Sequence, residues 1–433
     1  MINETVIILA PFSYPEHRLA KYIESYLTTS TPFNLNFYKP LQKIFSRVLL
    51  YDFTKRMTEI GVKAVNKEII DLVRKEQPKY LIRLFGHPPE FQESTFESIR
   101  KEGAIVVGWF FDDEVHFDDN SKWWIPYLDY CVTNAIEAVP KYRELGARVI
   151  LAVPIMGGIP IDRDWSNIEE KYDVSFVGQK YLDREQWINE IKKRNIPIHL
   201  FGKGWGRHLP FEEMIDIFGA SKINLNFSLT GYNKLQLKAR IFEVCLAGGF
   251  LLTEYVPDIE NYFEIDKEIV CFHNADEMID KIIYYLNHEE ERRAIAQAGW
   301  KRATAEYTSF HVLSRVFGEM EEDTAAKGRE GSPHPQQLKM PMWIRRRFSK
   351  FYLYWAVALS LENYKGLWKD DLALSISYNP FNIWARLYYI IGFSPLFMRR
   401  ALFRLYRALR YSLSLIPYLR KMKQSLTKRL FHT

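Results

Sequence analysis

"LKARIFEVCLAGGFLLTE", residues 237–254, joins a short helix to an apolar run through a pair of glycines. A helix from about Ala239 to Ala247 turns Ile241 and Val244 or Cys245 toward a core, while Arg240, Glu243 and Ala247 share another face. Gly248 and Gly249 end the helix and permit a close turn into "FLLTE". Lys238 and Arg240 fall in or just before the first turn. There the helix dipole disfavours positive charge by a few tenths of a kcal/mol unless an anion is supplied. Helix-start N–H groups together with Lys238 and Arg240 would grip a diphosphate, and Glu243, one turn on, would accept hydrogen bonds from a ribose diol. The plainer alternative is an Arg240–Glu243 surface ion pair with an ordinary C-cap, worth a few tenths of a kcal/mol.

Outward from this stretch the same grammar repeats. Strands buried on both faces read as short apolar runs, and five occur in each half between helical segments. The first half has "TVIILAPF", "YLIRLFGH", "AIVVGWFFDD", "YLDYCVTN" and "ARVILAVP"; the second has "YDVSFVGQ", "IPIHLFGKG", "SKINLNFS", "GGFLLTEY" and "EIVCFHN". The pattern predicts an α/β protein of two tandem, Rossmann-like, doubly wound sheets. Their junction falls in "VPIMGGIPIDRDW", residues 153–165, which gives domains at 1–156 and 157–322. Thr308 is placed to cap a closing helix in "TSFHVLSRVFGEMEE". The polar stretch 321–337 reads as an exposed linker, with its boundaries set at 323–337, before a basic, mostly helical extension at 338–433.

Charge separates these regions. Of the 59 Lys plus Arg and 53 Asp plus Glu in the 433 residues, 18 and 3 lie from residue 331 onward, leaving 41 against 50 before it. In "MRRALFRLYRALRYSLSL", Leu402, Leu405, Leu409 and Leu413 line one helical face and Arg400, Arg404 and Arg407 another. That pattern suits the interface of an anionic membrane, or a helix packed on the protein with a solvated basic face. Its aliphatic content fits lipid better than nucleic acid, which is not expected as a partner. No apolar run approaches the ~20 residues that span a bilayer. The start "MINETVIILAPF" reads as a buried strand rather than a signal peptide, and Cys131, Cys245 and Cys271 have no metal or redox spacing, so the expected location is cytoplasmic.

Neither G-x-G-x-x-G after the first strand nor G-x-x-x-x-G-K-S/T occurs, which disfavours a dinucleotide dehydrogenase and a P-loop ATPase. Ligands of open α/β sheets bind beyond the carboxyl ends of the strands. Gly178, Lys180 and Arg184 in "FVGQKYLDR" stand there, within reach of phosphate oxygens, although Arg184 suits a solvated helix equally well. Gly202 and Gly204 of "FGKGWG" fit either a ligand loop or ordinary turns. Asn224 and Asn226 line the cleft or cap backbone at a strand end. In "GWFFDDEVHFDD", Asp112 or Asp113 is the candidate general base, with His87 second, while Asp118 and Asp119 read as a plain acidic loop.

The motif at 237–254, with "VPDIENYFEIDKEIVCFHNADEMIDKIIYYLNHEEERRAIAQAGWKRATAEYTSFH" after it and "YDVSFVGQKYLDREQWINEI", "LFGKGW" and "SKINLNFS" before it, resembles the CgeB-like glycosyltransferases of the GT-B fold. The resemblance spans roughly 80–315, is strongest over 172–310, and excludes the tail from 331. It implies that Glu243 holds a donor ribose and that Lys238 and Arg240 hold its diphosphate. It also implies a reaction without a metal or other cofactor, the nucleotide-diphosphate sugar being a co-substrate. Many retaining relatives carry a second glutamate eight positions earlier; this chain has Leu235 there, which leaves the stereochemistry open. The expected function is sugar transfer to a glycan, lipid-linked or protein acceptor in surface glycan synthesis, with the enzyme peripheral on the inner face of the membrane. The rival readings are an epimerase of the same fold and a nonenzymatic sugar-binding protein.

Overall fold

The computed structural model describes residues 2–10, 34–85, 91–154, 168–206, 209–328, 338, 340–361, 368–391 and 401. His87, most of the expected junction and the arginine-rich stretch 402–433 lie outside them.

Both predicted sheets form, and every strand pairing in them is parallel. The first sheet comprises β1 (Ile2–Ala10), β2 (Phe45–Asp52), β3 (Tyr80–Phe85), β4 (Ile105–Phe110), β5 (Tyr130–Thr133) and β6 (Val149–Leu151), in the order β2-β1-β3-β4-β5-β6. The second comprises β7 (Tyr172–Val177), β8 (Ile198–Phe201), β9 (Ser221–Asn226), β10 (Leu251–Glu254) and β11 (Val270–Phe272), in the order β11-β10-β9-β7-β8. Each order reverses direction once, so each sheet is doubly wound and leaves a crevice at its strand ends. All ten apolar runs become strands. The sixth strand of the first sheet, "FSRVLLYD", was not read from the sequence because it is an edge strand whose exposed serine, arginine and leucine break the apolar run.

Alternation along β1 shows why the core is layered. Val6, Ile8 and Ala10 face one side and Ile7 and Leu9 the other, and all five are fully buried. On the first side packs the helix Ser309–Lys327, which follows the second sheet and returns to the first. Its Thr308 cap accepts a hydrogen bond from His311 N at 3.2 Å, as the sequence predicts. Val312, Leu313, Val316, Phe317 and Met320 join Ile8 and Ile82 of the first sheet to Ile241, Cys245 and Leu251 of the second unit in one core.

This helix corrects the expected linker, because residues 321–327 continue it. The reason is local. Glu321 takes an ion pair from Lys79 at 2.6 Å and a hydrogen bond from Tyr80 Oη at 2.7 Å, while Asp323 takes Tyr130 Oη at 3.0 Å and Arg148 at 3.4 Å. A polar composition that looked solvated is anchored to the first sheet.

On the other side of the first sheet, the helices Val62–Glu76 and Glu93–Lys101 are themselves covered by the chain's third region. Its helices Met342–Leu361, Trp368–Tyr378 and Ile383–Ile391 contribute Ile344, Phe348, Tyr352, Trp355, Leu372 and Tyr388 to that core. Tyr378 Oη donates to Glu93 at 2.8 Å, and Arg347 pairs with Asp119 at 2.7 Å. The described residues of 342–391 thus pack on the first unit, whereas the stretch 398–415, to which the membrane and packed readings apply, lies outside the described residues apart from Ala401. No helix among the described residues is long and apolar enough to cross a membrane.

Candidate functional site

The helix of the opening motif runs Ala239–Leu246, with Lys238 extended at its N-cap and no side chain capping it. Ile241, Val244 and Cys245 are buried as expected. Gly248 takes φ +70, a left-handed turn that favours glycine. Gly249 has no room for a side chain, since an added Cβ would lie 2.7 Å from both Phe218 O and Asn224 Nδ2.

Arg240 and Glu243 pair with each other, Nη1 to Oε2 at 2.7 Å. The pair is not the solvated surface contact weighed from spacing. Glu243 is only 5% exposed, and the Arg240 guanidinium lies 4.7 Å from the centre of the Phe218 ring, with Met214 Sδ 2.9 Å from Nη1. Burial pushes the Glu243 carboxyl up, and the Arg240 charge opposes that shift. In this arrangement the carboxylate expected to face a ribose is turned to its own arginine.

Lys238 looks the other way. Its ammonium donates to Gln236 Oε1, and the Gln236 amide donates to Asp112 Oδ1 at 2.6 Å and to Glu114 Oε2 at 3.1 Å. Lys238 and Gln236 belong to the second unit and the two carboxylates to the first. Two further contacts join the same two units: Lys234 pairs with Glu137, just past β5, at 2.6 Å, and the Tyr232 ring meets His116 edge-on at 5.5 Å. Burial lowers the Lys238 pKa, with Arg184 adding to the shift and the charges of Asp112, Glu114 and Glu254 opposing it.

β4 delivers the acidic side of this contact. Asp112, just past the strand, adopts φ +60 and begins the short helix Asp113–His116. The turn separates the two candidate bases. Asp113 points into the core, where Ser121, Thr133 (2.6 Å) and Tyr142 (2.8 Å) donate hydroxyls to it, and burial pushes it up to about 6 against those bonds. Asp112 stays exposed toward Gln236. Glu114, which sequence reasoning passed over, is buried beside it and pushed up to about 7, first by desolvation and then by the Asp112 charge. Asp118 is held by Lys122 at 2.8 Å and Asp119 by His116 at 3.1 Å and by Arg347, an acidic loop tied to neighbouring bases.

The remaining candidates gather at the carboxyl ends of β7 and β8. Gly202 (φ +109) packs on the Gly178 backbone and Gly204 (φ +89) on Lys180 Cβ, while Gly178 N donates to Phe201 O at 2.9 Å and Lys180 N to Lys203 O at 2.8 Å. The two glycine loops therefore lie against each other. Lys180 Nζ bonds Glu185 at 2.5 Å. Arg184 is buried rather than solvated: it donates to Gln179 O at 3.0 Å and Phe227 O at 3.3 Å, with its guanidinium 4.3 Å from the Tyr181 ring centre. Asn224 and Asn226 serve the strands. Asn224 reaches Phe218 O and Ser175, and Asn226 reaches Thr253 at 2.9 Å.

Glu254 ends β10 and accepts the backbone amides of Ser228 (2.6 Å) and Leu229 (3.1 Å). It holds the loop that carries Gln236 and Lys238. The signal available in the sequence was an acidic residue closing an apolar strand run, "FLLTE". Among the described residues no group of three His, Cys, Asp or Glu is placed to hold a metal ion.

Residues 184–318 match a family model described as glycosyl transferase-like. The spore protein CgeB of Bacillus subtilis (strain 168) is 22% identical over 261 residues, which cover 54% of this chain and 80% of CgeB. Among solved structures, Anabaena Alr3699/HepE in complex with UDP-glucose superposes with a TM-score of 0.50 at 9% identity, over 74% of this chain and all of that one. A glycosyltransferase from Rickettsia africae ESF-5 gives 0.47 at 12% identity, over 74% of this chain and 98% of its own.

Proposed function

For a CgeB-like chain on the GT-B fold, we propose glycosyl transfer from a nucleotide-diphosphate sugar to an acceptor hydroxyl, in the synthesis of a surface glycan. The observation that carries the reading is the meeting of Lys238, at a helix N-terminus, with Asp112 and Glu114 through Gln236. One side of the crevice offers cations and helix amides; the other offers carboxylates at a strand end. That is the division of labour a transfer reaction needs. HepE, whose fold this chain shares, is described with UDP-glucose, which agrees with a nucleotide-sugar donor.

In this reading the second unit holds the donor. Lys238, Arg240 and the first-turn amides take the diphosphate, and Glu243 exchanges its Arg240 partner for the ribose diol. Gly248 and Gly249 set the turn behind that helix. The paired loops of Gly178, Lys180, Arg184, Gly202 and Gly204 close the same end of the sheet. The first unit holds a glycan, lipid-linked or protein acceptor, whose hydroxyl proton passes to Asp112 as the acceptor oxygen bonds the anomeric carbon. The diphosphate leaves with the electron pair of the broken C–O bond, so the cations act on the transition state as well as on binding. Proton transfer and charge neutralisation are both assigned to side chains, so the proposed reaction runs without a metal; the basic composition of the tail supports a place at a membrane face on the cytoplasmic side.

The test is a donor turnover assay with nucleotide sugars of several bases and a panel of acceptors. Product in the presence of acceptor, undiminished by a chelator, supports the proposal. Conversion of donor to an isomer without acceptor would make the chain an epimerase, and donor binding without turnover would make it a binding protein.

A further inference from the structure

The arginine-rich motif of the tail finds no use in sugar transfer, yet the described residues just before it present an unusual surface. Phe381, Ile383 and Ile390 are 77%, 75% and 74% exposed. Ile383 and Ile390 lie one heptad apart on the helix Ile383–Ile391 and share a face. The opposite face carries Ala385 and Tyr388, which are buried against the rest of the third region. This helix is therefore apolar on two sides, and among the described residues only one of them is covered. Tyr388 Oη and Ser360 Oγ share a hydrogen bond at 2.6 Å that fixes which side packs. Asn379 and Asn382 hold the turn bearing Phe381: Asn382 N donates to Asn379 O at 3.0 Å, and Asn382 Nδ2 donates to Ser349 Oγ at 2.9 Å. The Phe381 ring is thus displayed by an ordered turn.

Charge states what should cover this face. The chain beyond it, residues 392–433, contains ten Lys plus Arg and no Asp or Glu, in contrast to the acidic excess before residue 331. Arg386 lies on the exposed side of the helix among the apolar residues. Apolar side chains directed outward, followed in the sequence by a segment that carries cations and no acid, match a surface with a hydrocarbon interior and an anionic rim. A protein partner would have to offer an equally extended acidic face.

We propose that Phe381, Ile383 and Ile390 form a docking face that enters the interface of an anionic bilayer, held there by the cationic segment that follows. This deepens the membrane location of the proposed function and rests on that part of the reading, while its geometry comes from the described helices of the third region. The first unit would then be tethered through its helices Val62–Glu76 and Glu93–Lys101, on the side of its sheet opposite the helix Ser309–Lys327.

The experiment is flotation of the full chain with phosphatidylglycerol-containing vesicles and with pure phosphatidylcholine vesicles, alongside the variants F381E and I390E. Helical circular dichroism and thermal unfolding check that each variant is folded; both sites are exposed, so both should be unchanged. The expected result is partitioning onto anionic vesicles at least about tenfold above neutral ones, lost in concentrated salt as screening shortens the reach of the charges. Either variant should reduce that partitioning about tenfold. Equal flotation with neutral vesicles, or variants that float like the wild type, would overturn the proposal. So would concentration-dependent self-association abolished by the same variants in a chain that ignores vesicles, since the occupant would then be a second copy. Because donor turnover is measured without vesicles, failure to bind vesicles removes the membrane location and leaves the transfer chemistry standing, while absence of turnover leaves the docking face standing.

Discussion

Gln236 and Asp112 are 124 positions apart in the chain and 2.6 Å apart in space, the glutamine amide donating to the carboxylate. With the second hydrogen bond to Glu114, one neutral side chain binds two acids of the opposite unit while its own oxygen receives Lys238. Gln236→Leu removes the donor from buried Glu114 and should cost about 1–3 kcal/mol. Gln236→Glu, which sets a third carboxylate against the pair, should cost more. Denaturant unfolding of the two variants checks the order, and Leu proving worse than Glu would reject the arrangement.

Glu114 also sets a pH dependence. Its carboxyl is raised from 4.5 to about 7 and that of Asp113 from 3.8 to about 6, in both cases chiefly by burial. Folded values above the unfolded ones mean that the native state binds protons more tightly. The stability these groups contribute is complete below their unfolded values and is lost as pH rises through the folded ones. Unfolding free energy should therefore fall between about pH 4 and pH 7 on their account, Glu114 contributing about 3 kcal/mol. Glu114→Gln should flatten that slope and stabilise the protein at pH 8. A slope unchanged in the variant would mean that Glu114 titrates normally.

The Arg240–Glu243 pair separates stability from donor binding. Arg240→Ala strands a buried carboxylate and should cost about 3–5 kcal/mol, whereas Arg240→Met with Glu243→Leu replaces the pair by apolar groups and should recover most of it. The double variant should still lose donor binding and at least about tenfold of transfer activity. Thermal shifts with and without nucleotide sugar distinguish the two effects. A folded double variant that transfers sugar normally would remove both residues from the proposed site.

Gly202 tests the paired loops. At φ +109 with the Gly178 carbonyl against its missing Cβ, Gly202→Ala meets both backbone strain and a clash. The expected cost is more than about 1 kcal/mol, with weaker donor binding as the Lys180–Lys203 link shifts. Gly206→Ala, with open space around it, is the control and should leave both measurements unchanged.

Long-range contacts mark the boundary of what the sequence disclosed. Ten apolar runs and the motif at 237–254 gave two sheets and the helix Ala239–Leu246, because burial on both faces writes itself into local composition. Edge strand β2 left no such mark. Glu321 and Asp323 looked like linker because their partners, Lys79, Tyr80, Tyr130 and Arg148, are distant in the chain. Asp112 and Asp113 were indistinguishable as neighbours in sequence, and only the left-handed turn at Asp112 sends one outward and the other into the core. Glu114 and Gln236 are unremarkable until two separate loops meet. Helix spacing did place Arg240 beside Glu243, but it could not supply the Phe218 ring or the burial that makes their pairing costly to break.

The helix Ser309–Lys327 has one more implication. Its buried row from Val312 to Met320 seals residues of both sheets into a single layer, so neither half can melt while the other keeps a dry interior. Heating should give one cooperative transition for these two halves. The Lys79–Glu321 and Arg148–Asp323 contacts fasten the far end of the same helix to the first half, so the two halves are clamped along its whole length.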